Sequence, residues 1–246
     1  MKTIAVGDIH GRDSWKRLAE QESFDQIIFL GDYFDSKENI SAKAQMKNFK
    51  EILLLKAANP KKVVLLIGNH DFHYMPLCQA IGEWYSGFQS GAGHDISHLL
   101  QKAKDLLQVA YWDAPYLFTH AGVTNTWLRR TLLLGADEVI NLSGMRIDDY
   151  INDVFQFTPK HFLFEGWDSS GDDPTQSPIW VRPASLNEDA YPAIHVVGHT
   201  QQPRIVSEPT KFSNGGGGFF IDTLGTSEEY LVIEDGNAGP RKLKQR

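Results

Sequence analysis

The sequence predicts an α/β fold with central sheets flanked by helices, and three observations support this class. Strand-like and helix-like segments alternate over the first part of the chain, which is the pattern of right-handed parallel crossovers. Several strand-like segments are almost continuously apolar, as in strands that are covered on both faces. Polar side chains follow directly after these segments, and open parallel sheets bind their ligands at this carboxyl end of the strands.

Composition and charge exclude several classes of protein. The 246 residues are 41% hydrophobic and 22% charged, which is ordinary for a globular chain long enough to bury a large core. The apolar runs are much shorter than the roughly 20 residues that a membrane-spanning helix needs. A net charge of -7 argues against a surface for duplex nucleic acid. The single cysteine, Cys78, excludes an intramolecular disulfide and fits a reducing cytoplasm. We therefore expect a cytoplasmic protein without membrane contact, and its oligomeric state stays open.

The predicted elements are assigned in chain order from apolar runs and helical periodicity. Strands are predicted at 2–6, 26–30, 62–67, 116–119, 194–197, 217–222 and 230–233. Helices are predicted at 14–21, 42–58, 96–107 and around 128–134, and Asn59-Pro60 ends the second of them. The basic segment 240–246 is predicted to be a frayed, solvated tail, with a weak contact to an acidic partner as the alternative.

Two long segments lie between the motif-bearing strands. We expect one domain over 1–246 with cap insertions at 72–113 and 124–192, which cover the site and control substrate access. These segments contain Trp84, Trp112 and Trp127. We interpret the three tryptophans as packing residues, with a base-stacking platform as the alternative.

Five short motifs that follow predicted strands carry oxygen and imidazole donors. They are Gly7-Asp8-Ile9-His10-Gly11, Gly31-Asp32-Tyr33-Phe34-Asp35, Gly68-Asn69-His70-Asp71, Thr119-His120-Ala121-Gly122 and Gly198-His199-Thr200. Donors of this kind can hold two divalent cations about 3.5–4 Å apart, which clamp the oxygens of an in-line phosphoryl displacement. Asp32 is the natural bridging ligand because a carboxylate offers two oxygens. Six ligands without a thiol suit Mn, Fe or Zn and do not distinguish among them.

His70 is predicted to be the general acid of this site. A departing alkoxide needs a proton, and an imidazole whose other nitrogen is held by a carboxylate can donate one. Asp35 is the favoured carboxylate partner, while Asp71 either orients the loop or serves as that partner. The remaining histidines are interpreted as hydrogen-bonded structural residues, with most interest in the one three residues after His70: His73, His94, His98, His161 and His195.

The motifs resemble the phosphoprotein phosphatase branch of the calcineurin-like metallophosphoesterases, which includes the symmetrical diadenosine tetraphosphate hydrolases. The family pattern runs GDxHG, GDxxDRG, GNHE or GNHD, HAG or HGG, and one late His. Gln201 stands where wider relatives have a second late histidine, which favours the phosphatase branch. The resemblance extends from Gly7 to about Ile233 and implies a four-layer α/β/β/α sandwich.

The same resemblance implies roles for individual residues. One metal is assigned to Asp8, His10 and Asp32, the other to Asp32, Asn69, His120 and His199, and a proton-donating dyad to His70 with Asp35. Trp180-Val181-Arg182 is similar to a family segment whose arginine binds phosphate, so Arg182 is predicted to do so. Ser36 replaces an arginine of the family pattern, and its role is predicted to be lost or taken by Arg12 or Lys37.

The leading functional hypothesis is hydrolysis of phosphomonoesters by direct attack of a hydroxide held by two metals. The partner is then a phosphorylated substrate, either a protein or a small molecule. The first alternative is hydrolysis of dinucleoside polyphosphates, which needs stacking surfaces for adenine. The second alternative is a catalytically weak phosphate-binding module, and Ser36 is the feature that favours it.

Overall fold

Two β-sheets and their connecting helices build the chain, which confirms the predicted α/β class. The structure is a computed structural model, and it describes residues 1–132, 146–165, 168, 170–208, 212–213 and 215–244. The chain divides into two compact units. Unit 1 comprises Met1–Gln108, Gln201–Ile205 and Ile221–Arg246, and unit 2 comprises Val109–Thr200 and Val206–Phe220.

Unit 1 contains a five-stranded mixed sheet. Its strands are β1 (Lys2–Val6), β2 (Gln26–Phe29), β3 (Val63–Leu65), β9 (Glu229–Glu234) and β10 (Asn237–Lys242). The order across the sheet is β10-β9-β1-β2-β3. The strands β1, β2 and β3 are parallel neighbours, whereas β9 is antiparallel to both β1 and β10. Every residue of β2 and β3 is buried, as the continuous apolar runs predict.

The helices of unit 1 connect the parallel strands and follow β3. They are α1 (Trp15–Gln21), α2 (Ala42–Ala58), α3 (Asn69–Phe72), α4 (Pro76–Ile81) and α5 (Gly93–Ala103), followed by the 3-10 turn Lys104–Leu106. The hydroxyl of Ser41 accepts the N–H of Ala44 over 3.3 Å and caps α2, which has its predicted bounds. The helix predicted at 96–107 begins three residues earlier and ends as the 3-10 turn.

Unit 2 contains the second five-stranded sheet. Its strands are β4 (Ala110–Asp113), β5 (Tyr116–Thr119), β6 (Ile194–Val197), β7 (Val206–Glu208) and β8 (Gly217–Phe220), in the order β4-β5-β6-β8-β7. The three central strands are parallel, and both edge strands are antiparallel to their neighbours. The described helices of this unit are α6 (Asn125–Leu132), the 3-10 helix Pro159–Phe162, α7 (Ile147–Phe157) and α8 (Pro183–Asp189).

The two predicted cap insertions together contain helices and a strand. The structure gives 72–113 the helices α4 and α5 and the strand β4, and it gives 124–192 the helices α6 to α8. Their role as caps of a single domain stays a prediction. The last two residues of the helix predicted around 128–134 lie outside the described residues. Among the described residues, no helix combines the length and apolar character that crossing a membrane requires.

The prediction of a frayed basic tail at 240–246 is wrong for its described part. Pro240, Arg241 and Lys242 belong to β10 and pair with β9, and Leu243 is 2% exposed in the core of unit 1. A guanidinium nitrogen of Arg241 lies 2.9 Å from a carboxylate oxygen of Glu22. Arg241 of this segment is therefore paired with an acidic residue of the same chain.

Glu22 links this carboxy-terminal strand to the end of α1, and the link makes stability depend on pH. Burial raises the pKa of Glu22, but hydrogen bonds from Lys2, Arg241 and Tyr230 outweigh it and lower the pKa to about 2. Because the folded pKa lies below the ordinary glutamate pKa of 4.5, the stabilisation is present above that pH and is lost toward pH 2. We expect Glu22→Gln to lower the free energy of unfolding in urea at neutral pH.

The expected difference between wild type and Glu22→Gln shrinks as the pH falls from about 5 toward 2. Glu20→Gln, at an exposed position of the same helix, is the matched control and should change little at any pH. A Glu22→Gln effect that stays constant over this pH range would show that the charge of Glu22 is not the cause.

Candidate active site

The loops that follow β1 and β2 run side by side, and each carries a buried carboxylate. The N–H groups of His10 and Gly11 donate to the carbonyls of Asp32 and Tyr33, over 2.6 and 3.0 Å. Asp8 and Asp32 are each 1% exposed, and carboxylate oxygens of the two lie within 4.8 Å of each other. Two buried carboxylates at this distance repel each other when both are ionised, so the pair is suited to a divalent cation.

His10 adds a neutral nitrogen donor to these carboxylates. Its Nδ1 lies 2.6 Å from the carbonyl oxygen of Phe34, to which it donates its proton. Its Nε2 lies 3.9 Å from an oxygen of Asp8 and 3.7 Å from an oxygen of Asp32. Burial lowers the pKa of His10 to about 4, so the imidazole is neutral at pH 7. A neutral imidazole held by a backbone carbonyl is the usual form of a metal-binding histidine.

Several predicted site residues have strained backbones. His10, Asp32, Asp35 and His199 have φ angles of 42°, 50°, 59° and 61°, in the left-handed region that non-glycine residues avoid. Such strain costs on the order of 1–3 kcal/mol per residue and is concentrated at functional sites. At Gly68 a Cβ would lie 2.0 Å from a carboxylate oxygen of Asp32, so only glycine allows this close approach.

Helix α3 carries the predicted ligand Asn69, which is 4% exposed, and the predicted acid His70. The backbone N–H of His70 donates to Oδ1 of Asp32 over 2.9 Å and so joins α3 to the loop after β2. The carboxylate of Asp71 accepts the N–H of Tyr33 over 2.8 Å. It also accepts the N–H of the residue before α3 over 3.0 Å. Asp71 therefore orients the loops, which was one of its two predicted roles.

The side chain of His70 contacts Asp35, the favoured partner, with 3.0 Å between Nδ1 and Oδ2. Three other side chains also reach this carboxylate: His73 Nε2 at 2.6 Å, the Tyr74 hydroxyl at 2.5 Å and Gln89 Nε2 at 2.9 Å. Burial raises the pKa of Asp35, but the hydrogen bonds outweigh it and lower the pKa. The sequence indicated His73 only by its spacing from His70, and it contained no signal for Tyr74 or Gln89.

Unit 2 brings together three more predicted site residues. His120 follows β5 and is fully buried, and its ring centroid lies 5.1 Å from that of His199. The N–H of Gly198 donates to the carbonyl of His120 over 2.8 Å, which joins the ends of β5 and β6. The Nε2–H of His199 donates to the carbonyl of Trp180 over 2.9 Å, and Arg182 donates to the carbonyl of His199 over 3.1 Å.

Arg12 and Lys37, which were predicted to take the role of the arginine that Ser36 replaces, have different surroundings. Arg12 donates through Nε to Glu38 over 2.6 Å and through Nη1 to the carbonyl of Asp8 over 3.3 Å. Its charge is therefore paired with a carboxylate, which weakens its attraction for a phosphate. Lys37 is exposed, and the hydroxyl of Ser36 accepts the N–H of Glu38 over 3.1 Å. Phosphate binding by Arg12 and Arg182 stays a prediction.

Trp127 and Trp84 differ in exposure. Trp127 is 2% exposed and packs in the core, as interpreted, whereas Trp84 is 57% exposed. The ring of Trp84 stacks on Phe88 with 5.3 Å between centroids and 10° between planes. Gly87 lies between these two residues in the sequence, and a Cβ there would be 3.2 Å from Cε1 of His70. The turn at 84–88 thus contacts the His70–Asp35 pair and presents an aromatic face to solvent.

The chain belongs to the calcineurin-like phosphoesterase family, whose family model matches residues 1–216. The predicted family is thereby confirmed, and enzymes of this family depend on metal ions. The buried donors of Asp8 and Asp32 agree with that dependence.

Solved structures share the fold. One is a cold-active protein-tyrosine phosphatase of a psychrophilic Shewanella species, with a TM-score of 0.55 and 19% identity over 99% of this chain and 80% of that chain. Another is a protein serine/threonine phosphatase from Saccharomyces cerevisiae, with a TM-score of 0.60 and 12% identity over 100% of this chain and 80% of that chain. At these identities the likeness shows the fold alone. No curated protein matches the sequence.

Proposed function

We propose that this protein is a metal-dependent phosphatase that hydrolyses phosphomonoesters with water as the nucleophile and His70 as the general acid. The main support is the hydrogen bond of 2.9 Å between the His70 N–H and Asp32 Oδ1. It fixes the proposed acid next to the loop that carries a proposed metal ligand. The partner in this reaction is a phosphorylated protein or small molecule.

Asp8, His10, Asp32 and Asn69 are the residues of unit 1 that would hold the cations, with Mn, Fe or Zn as candidates. Two divalent cations, when bound, supply charge stabilisation for the phosphoryl oxygens and lower the pKa of water. His120 and His199 of unit 2 remain the other proposed ligands, as the family resemblance implies. The family's dependence on metals and the buried Asp8–Asp32 pair support this assignment.

The proposed role of His70 follows from its two ring nitrogens. Its Nδ1–H donates to Asp35, which holds the ring in one orientation. The opposite nitrogen, Nε2, is then the atom that gives a proton to the oxygen of the leaving group. Asp35 stabilises the charged imidazolium before this transfer, because its lowered pKa keeps it ionised.

Turnover of p-nitrophenyl phosphate tests the proposal directly. We expect no turnover after removal of metal with EDTA and recovery of turnover when manganese is added back. Thermal denaturation gives a second readout, since a cation bound to the folded state raises the melting temperature. Absence of turnover with manganese, iron and zinc would overturn the proposal and favour the phosphate-binding module.

A second candidate substrate class is the dinucleoside polyphosphates, and the exposed ring of Trp84 is the observation that favours it. Stacking of a base on an aromatic side chain contributes about 1–3 kcal/mol. If adenine stacks on Trp84, Trp84→Ala should lower kcat/KM for diadenosine tetraphosphate by about 5- to 150-fold. It should leave kcat/KM for p-nitrophenyl phosphate nearly unchanged.

Phe157→Ala is the matched control, because Phe157 is 73% exposed and belongs to α7 of unit 2. It should affect neither substrate. If Trp84→Ala leaves diadenosine tetraphosphate hydrolysis unchanged, adenine does not stack there.

A cytoplasmic location completes the proposal and is supported by Cys78, a free, buried thiol.

A further inference from the structure

We propose that His73 is a positioning residue for this reaction, which holds the Asp35 carboxylate so that His70 keeps the orientation of a proton donor. The inference rests on the proposed function. His73 was expected to be an ordinary structural histidine, yet it contacts the same carboxylate oxygen as His70. Its Nε2 lies 2.6 Å and the His70 Nδ1 lies 3.0 Å from Oδ2 of Asp35.

The convergence of the two imidazoles follows from their spacing. His70 lies in α3 and His73 is its C-cap, three residues later, so their side chains leave the same face of the helix. Their ring centroids are 5.8 Å apart, and their planes are inclined by 82°. Each ring therefore brings one nitrogen close to Oδ2 of Asp35, and the two rings meet edge to face.

The proton positions on His73 are set by its neighbours. The backbone N–H of Tyr85 donates to Nδ1 of His73 over 3.3 Å, so the ring proton is on Nε2. Nε2 is thus the protonated nitrogen, and it makes a close polar contact with Oδ2 of Asp35 at 2.6 Å that is not aligned as a hydrogen bond. Asp35, His70 and His73 also have the spacing of a metal-binding group.

The ring of His73 cannot turn freely. It is fully buried, with the rings of Tyr74 and Phe88 packed edge-to-face at centroid distances of 4.5 and 5.2 Å. The ring of Tyr85 is parallel to it at 6.1 Å. A donor that is locked in this way can fix the position of the atom that it contacts.

The Asp35 carboxylate needs such fixing, because the terminal torsion of an aspartate has broad, shallow minima. Tyr74 and Gln89 hold Oδ1, and His70 and His73 hold Oδ2. Without the donor of His73, Oδ2 is held by His70 alone, and the carboxylate and the His70 ring can turn together. A displacement of about 1 Å at a reacting group can cost on the order of 100-fold in rate.

Two variants separate the polar contacts of His73 with Tyr85 and with Asp35. In His73→Asn the side-chain oxygen can still accept the Tyr85 N–H near the position of Nδ1, but the side chain is too short to reach Asp35. In His73→Gln the amide nitrogen lies near the position of Nε2 and can still donate to Asp35. His73→Asn therefore keeps the contact with Tyr85 and loses the contact with Asp35, whereas His73→Gln does the reverse. Both variants retain a polar side chain.

The readout is the dependence of kcat/KM on the leaving group. Protonation matters most for an alkyl phosphate, whose leaving group is poor, and least for p-nitrophenyl phosphate. We expect His73→Asn to lower kcat/KM for an alkyl phosphate by about 10- to 100-fold and to change p-nitrophenyl phosphate by less than about 3-fold. His73→Gln should be close to wild type on both substrates. Equal losses on the two substrates, or equal behaviour of the two variants, would overturn the proposal.

His195→Asn is the control for loss of a buried imidazole. His195 is fully buried in unit 2, and its Nε2 lies 2.9 Å from the carbonyl oxygen of Tyr191. Any effect of this change should be the same factor for both substrates. A larger loss on the alkyl phosphate than on p-nitrophenyl phosphate here would show that destabilisation alone mimics the His73 effect, and would overturn the proposal.

Proton NMR of the wild type, with nitrogen-15 in histidine, tests the positioning without turnover. We expect His73 to carry its proton on Nε2 and His70 to carry one on Nδ1, both shifted downfield by Asp35. A His73 protonated on Nδ1 would overturn the proposal even if neither variant folds. Failure of the wild type to hydrolyse any phosphomonoester would instead overturn the proposed function, so the two failures are distinguishable.

Discussion

Asp32→Asn is expected to lower metal-dependent phosphatase turnover by at least about 1,000-fold. A metal ion contributes several kcal/mol of charge stabilisation to the transition state, and each 1.36 kcal/mol corresponds to about tenfold in rate. The change removes the proposed bridging carboxylate but keeps an oxygen that can accept the His70 N–H. Local geometry is therefore retained while the charge is lost. The measurement is kcat for p-nitrophenyl phosphate at saturating manganese.

The same substitution is expected to raise the melting temperature of the metal-free protein. Asp32 is 1% exposed, and its carboxylate lies within 4.8 Å of that of Asp8, so neutralising it removes a buried repulsion. The increase in melting temperature that manganese gives the wild type should disappear. Asp95→Asn, at a side chain that is 74% exposed, is the control and should change none of these quantities. An Asp32→Asn protein that retains turnover within about tenfold of wild type would be incompatible with the proposed ligand.

His70→Asn is expected to lower kcat by about 100- to 10,000-fold for an alkyl phosphate and much less for p-nitrophenyl phosphate. This is the usual size of a general-acid contribution, and it depends on the basicity of the leaving group. The backbone N–H that donates to Asp32 is retained, so manganese should still raise the melting temperature. Steady-state kinetics on both substrates and thermal denaturation with manganese give the two readouts.

His94→Asn, at a side chain that is 96% exposed, is the matched control and should behave as wild type. Two results would count against His70 as the acid. One is an equal loss on both leaving groups, and the other is loss of the manganese-dependent shift in melting temperature. Either would indicate that His70 acts mainly through the fold or the metal site.

The sequence predicted the elements whose signals are local. Helix α2 has its predicted bounds because Ser41 caps its start and Asn59-Pro60 ends it. Strand β10 was missed because it contains Pro240 and ends with two basic residues, and it presents no apolar alternation. It is an edge strand, held by backbone pairing with β9 and by the burial of Leu243. Such pairing depends on a partner that a local pattern does not reveal.

The site residues, too, were predicted where their signals are local in the sequence. The rule that polar residues at strand ends meet at one edge of a parallel sheet placed Asp8 next to Asp32. The choice between Asp35 and Asp71 as partner of His70 needed coordinates, because both are carboxylates close to it in the fold. Gln89 was missed because it reaches Asp35 from 54 residues away, through a turn with no recognisable motif.

Anomalous diffraction from crystals grown with manganese tests the central claim, that Asp8, His10 and Asp32 hold a catalytic cation beside His70. We predict an anomalous peak at manganese-ligand distance, about 2.0–2.2 Å, from carboxylate oxygens of Asp8 and Asp32 and from Nε2 of His10. A crystal of the active, manganese-saturated protein that shows no anomalous peak at these three side chains would contradict the account.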